Sequence, residues 1–187
     1  MAYNARKAAQ TIAFFAMKNG ARPLEVIKAV KLVYLADRES VRRFGFPIQD
    51  EDRVSMPHGP VNSETYSMIN GEYDTAASGW ADFVRDREDN NLSLASADLT
   101  EDDLDELSDA DLEVLNAVWD RFGHMGKWEI RDWTHVQANV PEWEDPGRSS
   151  WQIPLERMMA HLDVPNVEEQ AAAVRDFDRI DTLFRAL

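Results

Sequence analysis

The chain of 187 residues contains no cysteine, which removes disulfide staples, thiol nucleophiles and thiolate metal sites together. That composition suits a reducing compartment, and a cytoplasmic setting is expected. Long apolar runs are missing as well. No window approaches the roughly eighteen uninterrupted apolar residues of a membrane span, and the opening stretch MAYNARKAAQTIAFFAMKNG interleaves Asn, Arg, Lys and Gln with its apolar positions. Neither a transmembrane helix nor a secretory apolar segment is predicted. The third absence is local: no Lys or Arg occurs between Arg87 and Arg121, a gap that holds twelve of the 35 acidic residues. The rest of the chain carries 20 basic against 23 acidic residues, so the formal net charge of −15 is concentrated in one block. Such a field repels a phosphate backbone, and no direct nucleic-acid binding is expected. The block reads either as a solvated acidic face or as a docking surface for a basic protein, with Asp102, Asp103, Asp105 and Glu106 at its centre.

Histidine is scarce. His58, His124, His135 and His161 are separated by 66, 11 and 26 residues, so no local ligand pair exists; neither a metal site nor a cofactor is predicted. An acid–base cluster would need the fold to bring His58 to Asp37, Glu64 or His135, and no nucleophile motif or phosphate-cradling glycine loop accompanies them. A structural histidine is the simpler reading: at a tight elbow, one ring nitrogen can hold a backbone carbonyl.

What is present is 44% apolar residues, enough for one globular body. Ala5, Ala8, Ile12, Phe15 and Ala16 recur at helical spacing over residues 4 to 18, with Asn19-Gly20 as the stop. The segment RPLEVIKAVKLVYLADRESVRRFG predicts a second helix with Pro23 in its first turn and Gly45 just past its end. Val30 and Leu32 to Ala36 are apolar on every side, which predicts a central, buried helix. Val54 to Pro57 is short and β-like. His58-Gly59-Pro60-Val61 then forms a strand-to-helix elbow, with Asn62 or Ser63 capping a helix that runs through Ile69. Residues 83 to 94 carry a hairpin signal around Asp89-Asn90-Asn91. Thr100 with Asp103 and Ser108 with Asp111 look like capping pairs, and another helix is predicted from Lys127 to Gln137. Trp128, Trp133, Trp143 and Trp151 are read chiefly as core. Val174, Phe177, Ile180, Leu183 and Phe184 mark a terminal amphipathic helix that packs on its own domain or, through Phe177, Ile180 and Phe184, anchors a partner.

Lys31-Leu32-Val33-Tyr34-Leu35-Ala36-Asp37, followed by Gly45, Pro47, His58-Gly59-Pro60-Val61 and Tyr66, resembles the Panacea, or SocA-like, antitoxin domain. Trp133-Thr134-His135 looks like a further element of that family, and Pro141-Glu142-Trp143 is similar to its Pro-Trp, here with a glutamate inserted. The resemblance spans residues 22 to 163 in order, leaving residues 164–187 as an added C-terminal helix beyond a domain of residues 1–163. It implies a mainly α, compact domain with a small β-hairpin or short-strand element. It also implies that Lys31, Leu32, Tyr34, Asp37, His58, Gly59, Pro60, Val61, Tyr66, Thr134, His135 and Trp143 form a structural motif and not a catalytic one. The implied function is an antitoxin that neutralises a cognate toxin protein by direct binding. The alternatives are a proteolytic adaptor that delivers the toxin to an AAA+ protease and, from a different class, an acid–base enzyme using His58 and His135.

Overall fold

Helix α2 (Val26–Phe44) is the axis of the molecule, because its sequence leaves almost no polar face: Ala29 to Asp37 are buried without interruption. In the computed structural model, which describes residues 3–20, 22–75 and 77–185 and side chains as far as residue 177, the other elements wrap around it. Helix α1 (Ala5–Lys18) is capped by the Asn4 side chain, which accepts from the Lys7 amide at 3.1 Å. Helix α4 (Asp109–Phe122) opens on the capping box of Ser108 and Asp111. Helix α5 (Lys127–His135) also packs on α2, and its Trp133 meets Phe122 of α4 edge to face at 4.7 Å. The fold is mainly α, with seven α-helices among the described residues and a small strand element.

The helix around Pro23 begins later than its sequence signals predict. Leu24–Glu25 form a two-residue strand, β1, and the Val26 amide donates to Asn90 O at 2.9 Å. The partner of β1 is β4 (Asn91–Leu92), with Leu24 opposite Leu92, both buried. Pairing with a segment distant in sequence therefore holds this turn extended. The hairpin signal of residues 83 to 94 survives as two isolated antiparallel bridges, Val84 with Leu94 and Glu88 with Asn91.

The strand-to-helix elbow is a hairpin instead. Strand β2 (Arg53–Met56) turns at Pro57-His58 into β3 (Gly59–Asn62), paired antiparallel with Met56 opposite Gly59 and Arg53 opposite Asn62. Short strand β5 (Trp151–Gln152) extends the sheet on the other side of β2, giving the order β3-β2-β5. β3 is thus an edge strand, and an edge tolerates Pro60, which has no amide to give to a ladder. Helix α3 (Ser63–Ile69) follows directly. Its first turn is satisfied by Glu51, whose carboxylate accepts from the Thr65 amide at 2.7 Å; Asn62 is turned inward and does not cap.

Helix α5 ends at His135, two residues before the predicted Gln137, because Val136 is extended and starts the turn to Val140. Helices α6 (Leu155–His161) and α7 (Val167–Arg185) close the described chain, α7 seating Ala171 and Val174 in the core. Two of the four tryptophans read as core are not: Trp128 and Trp151 are 51% and 49% exposed, whereas Trp143 is buried and Trp133 is partly so. Helical spacing put Trp128 beside apolar neighbours, but its face of α5 carries Lys127 and Arg131 over the ring and looks outward. No helix among the described residues is long and apolar enough to cross a membrane.

Candidate functional site

The motif of α2 spaces Lys31, Tyr34 and Asp37 three residues apart, so all three project from adjacent turns of one helix. Each meets a different buried partner. Lys31 is buried with its Nζ donating to Pro60 O at 2.8 Å, which ties the helix to the hairpin edge. Burial, helped by the Arg131 charge, pushes the Lys31 ammonium down to about 7. Gly59 lies against the same amine at φ +91°, and a Cβ there would meet Thr134 Oγ1 at 2.8 Å and Lys31 Nζ at 3.0 Å.

One turn further on, the Tyr34 hydroxyl donates to Glu142 Oε1 at 2.8 Å, and Arg38 Nε donates to the same oxygen at 2.7 Å. Glu142 is fully buried, so the residue inserted into the Pro-Trp element is the acceptor that closes this part of the core. Burial and the neighbouring Glu142 charge hold the Tyr34 hydroxyl well above its usual range. Asp37 accepts from the Gln49 amide at 2.9 Å, Asn62 Nδ2 at 2.8 Å and Arg53 at 3.3 Å. Its pKa is raised by burial, and Arg53 is the strongest influence pulling it back. Asn62 bridges onward to Glu51, which also takes the Thr65 hydroxyl at 2.5 Å. Burial lifts the Glu51 carboxyl to about 8 against the opposing donors of Thr65 and Asn62.

The two histidines named for catalysis differ sharply in setting. His58 stands exposed at the hairpin tip. His135 stacks on Trp143 with ring centroids 4.6 Å apart, its Nε2 is buried without a partner, and burial lowers its pKa. Trp143 in turn donates Nε1 to Met56 O at 3.2 Å, so His135 and Trp143 form a wall behind the hairpin. Thr134 is buried and its hydroxyl donates to Arg131 O, while Val61 is buried and Tyr66 packs partly buried on the core with Leu32 inside it. Among the described residues no three His, Asp or Glu side chains gather as a metal-binding group.

The acidic block is partly occupied from within. Asp105 accepts from Gln10 Nε2 at 2.6 Å and from Arg6 at 3.1 Å, and Asp111 pairs with Lys7 at 3.0 Å. Asp103 caps its own turn through Thr100, and Glu106 accepts from Asn4 at 2.9 Å. Asp102 is exposed. The block therefore fastens α1 as well as presenting charge. Phe177 is exposed; the side chains of Ile180 and Phe184 lie outside the described residues.

Sequence reasoning named neither Glu51 nor Arg53, gave Asn62 a capping role and noted Glu142 only as an insertion, whereas these four carry most of the buried polar contacts. The available signal was slight: two charged residues beside a β-leaning run, and a glutamate breaking a familiar dipeptide.

These contacts define a class of domain, a helical body whose central helix presents a ladder of buried polar side chains clamped by a hairpin and its flanking loop. The chain belongs to the SocA-like antitoxin family: the family described as antitoxin SocA-like, Panacea domain, matches residues 30–144, from within α2 to just past Trp143. Membership supports a role in a toxin–antitoxin system in general, with a toxin as the kind of partner and a non-enzymatic part to play. No curated protein and no solved structure matches the chain.

The buried pair of titratable groups makes a pH prediction. A carboxyl whose folded pKa is raised stabilises the fold below its unfolded value of 4.5, and that contribution is lost as pH climbs through about 8. Lys31 acts in a higher window: the cost of burying its charge is full below about 7 and is relieved as pH rises to 10.5. Thermal stability of Glu51→Gln should consequently fall less between pH 4.5 and 8 than that of the wild type. Melts across that range check it, and parallel curves would show that Glu51 does not titrate there.

Proposed function

We propose that this protein neutralises a cognate toxin protein by direct binding in the cytoplasm, as a non-catalytic antitoxin. The observation that carries the reading is the fate of the family motif. Lys31, Tyr34 and Asp37 are spent on Pro60, Glu142 and the Arg53–Asn62 pair inside the fold, where they hold the hairpin and the flanking loop in place. A group that transfers protons to a substrate must reach it within hydrogen-bond distance. Buried side chains whose hydrogen bonds go to other parts of the fold serve as scaffold instead.

The test is co-expression of the chain with each neighbouring small open reading frame. A frame that stops growth alone and is tolerated with this protein identifies the toxin. His58→Asn and His135→Gln, singly and together, should retain rescue while the protein stays folded, because an amide side chain is polar but does not exchange a proton as an imidazole does. Loss of rescue in a folded double variant would favour acid–base chemistry at His58 and His135. Disappearance of the toxin that depends on an AAA+ protease would make the protein a proteolytic adaptor.

A further inference from the structure

The two surfaces that sequence reading offered as separate partner sites meet in one groove. The end of α2, the start of α4 and the outward face of α7 enclose about 560 Å³. Phe44, Phe46, Pro47 and Phe177 form its apolar lining, with Phe46 and Phe177 edge to face at 5.6 Å. Phe44 and Phe177 are 45% and 57% exposed, so the groove presents aromatic surface that the fold leaves uncovered. Its rim is acidic. Asp50, Glu106 and Asp111 line it, and among the described residues Lys7 is the cation that lines it, paired with Asp111.

We infer that this groove docks a basic segment bearing apolar anchors, supplied by the toxin; the identity of the supplier rests on the proposed function. Charge decides the occupant. The groove takes Glu106, Ser108, Ala110 and Asp111 from the stretch of residues 88–120, which holds twelve acidic residues and no Lys or Arg. Glu101, Asp105, Asp111 and Glu113 are paired with Lys18, Arg6, Lys7 and Arg43, and the remaining excess of negative charge attracts a cationic segment while its apolar side chains fill the aromatic floor. A second copy of this chain, at net charge −15, would bring like fields together. Phe44 and Phe177 act as anchors and Glu106 as a steering charge.

The test uses the full-length protein and a short amphipathic lysine–leucine peptide, with a scrambled peptide of the same composition as control. Wild-type protein should bind the amphipathic peptide one to one, more tightly than the control and more weakly as salt rises. Phe44→Gln with Phe177→Gln should weaken binding by about tenfold or more, mainly through faster dissociation, because both rings are surface anchors whose loss leaves the core intact. Glu106→Lys should slow association and flatten the salt dependence. Absent peptide binding, or undiminished binding by a double variant that melts like wild type, overturns the inference. So does a dimer of the wild type that the double variant abolishes, because the occupant is then a second copy.

Co-expression separates the two readings. Rescue from a toxin by the folded double variant, equal to that of wild type, removes the groove from toxin binding and leaves the antitoxin reading standing. Groove-dependent peptide binding by a protein that rescues from no neighbouring frame supports the groove and removes the toxin as its occupant.

Discussion

Gly59→Ala is expected to lower stability by about 2–5 kcal/mol, the sum of a strained left-handed backbone and an overpacked contact. The residue sits at φ +91°, and the added methyl would meet Thr134 Oγ1 at 2.8 Å, Lys31 Nζ at 3.0 Å and His135 Cδ2 at 3.2 Å. None of the three can retreat cheaply. Thr134 is held by Arg131 O, Lys31 by Pro60 O, and the His135 ring by its stack on Trp143. Gly71 supplies the control, because its φ is +73° and an added methyl would find nothing within 4 Å. Gly71→Ala should therefore show the backbone cost alone, about 1–2 kcal/mol. At about 2–4 °C per kcal/mol for a chain of this size, the two melts should separate clearly. If Gly59→Ala melts no lower than Gly71→Ala, the crowding behind the hairpin is not there.

Asp37→Ala should cost about 3–5 kcal/mol, the usual penalty for removing one partner of a buried ion pair. Its carboxylate is the common acceptor for Arg53, Asn62 Nδ2 and the Gln49 amide, all buried. Truncation leaves the Arg53 guanidinium inside the protein without its Asp37 counter-charge, with Gln49 O still accepting from it. Adding Arg53→Met to Asp37→Ala should recover part of the loss, since an apolar side chain of similar length removes the stranded charge. Urea unfolding reads this as a midpoint shift at unchanged slope. A single variant within about 1 kcal/mol of wild type would mean that the Asp37–Arg53 contact is solvated and not a buried pair.

Helices were legible because their signals are local. The Asn19 stop after α1, the Ser108–Asp111 box before α4 and Gly45 at φ +76° after α2 are each decided within one turn of the chain. The buried character of α2 was legible too, since apolar residues on all sides leave a helix no face for water. The hairpin was not. Gly59–Asn62 carries a glycine and a proline that read as an elbow, and only the ladder with Arg53–Met56 makes it a strand. The same holds for Leu24, whose extended backbone is set by Leu92 across the sheet.

By itself the sequence determined the helical class, the central helix, the Thr100–Asp103 and Ser108–Asp111 capping pairs, the acid-rich stretch and the ordered motif of its family, all properties of neighbouring residues or of composition. Tertiary structure decided where polar groups are buried: Glu142 under Tyr34 and Arg38, Glu51 under Thr65, Asp37 against Arg53. A polar side chain enters a core only when its partner arrives with it, and these partners lie from 14 to 108 residues away. It likewise joined Phe177 to Phe46 and to the acidic rim, because a groove exists only between elements that the chain keeps apart.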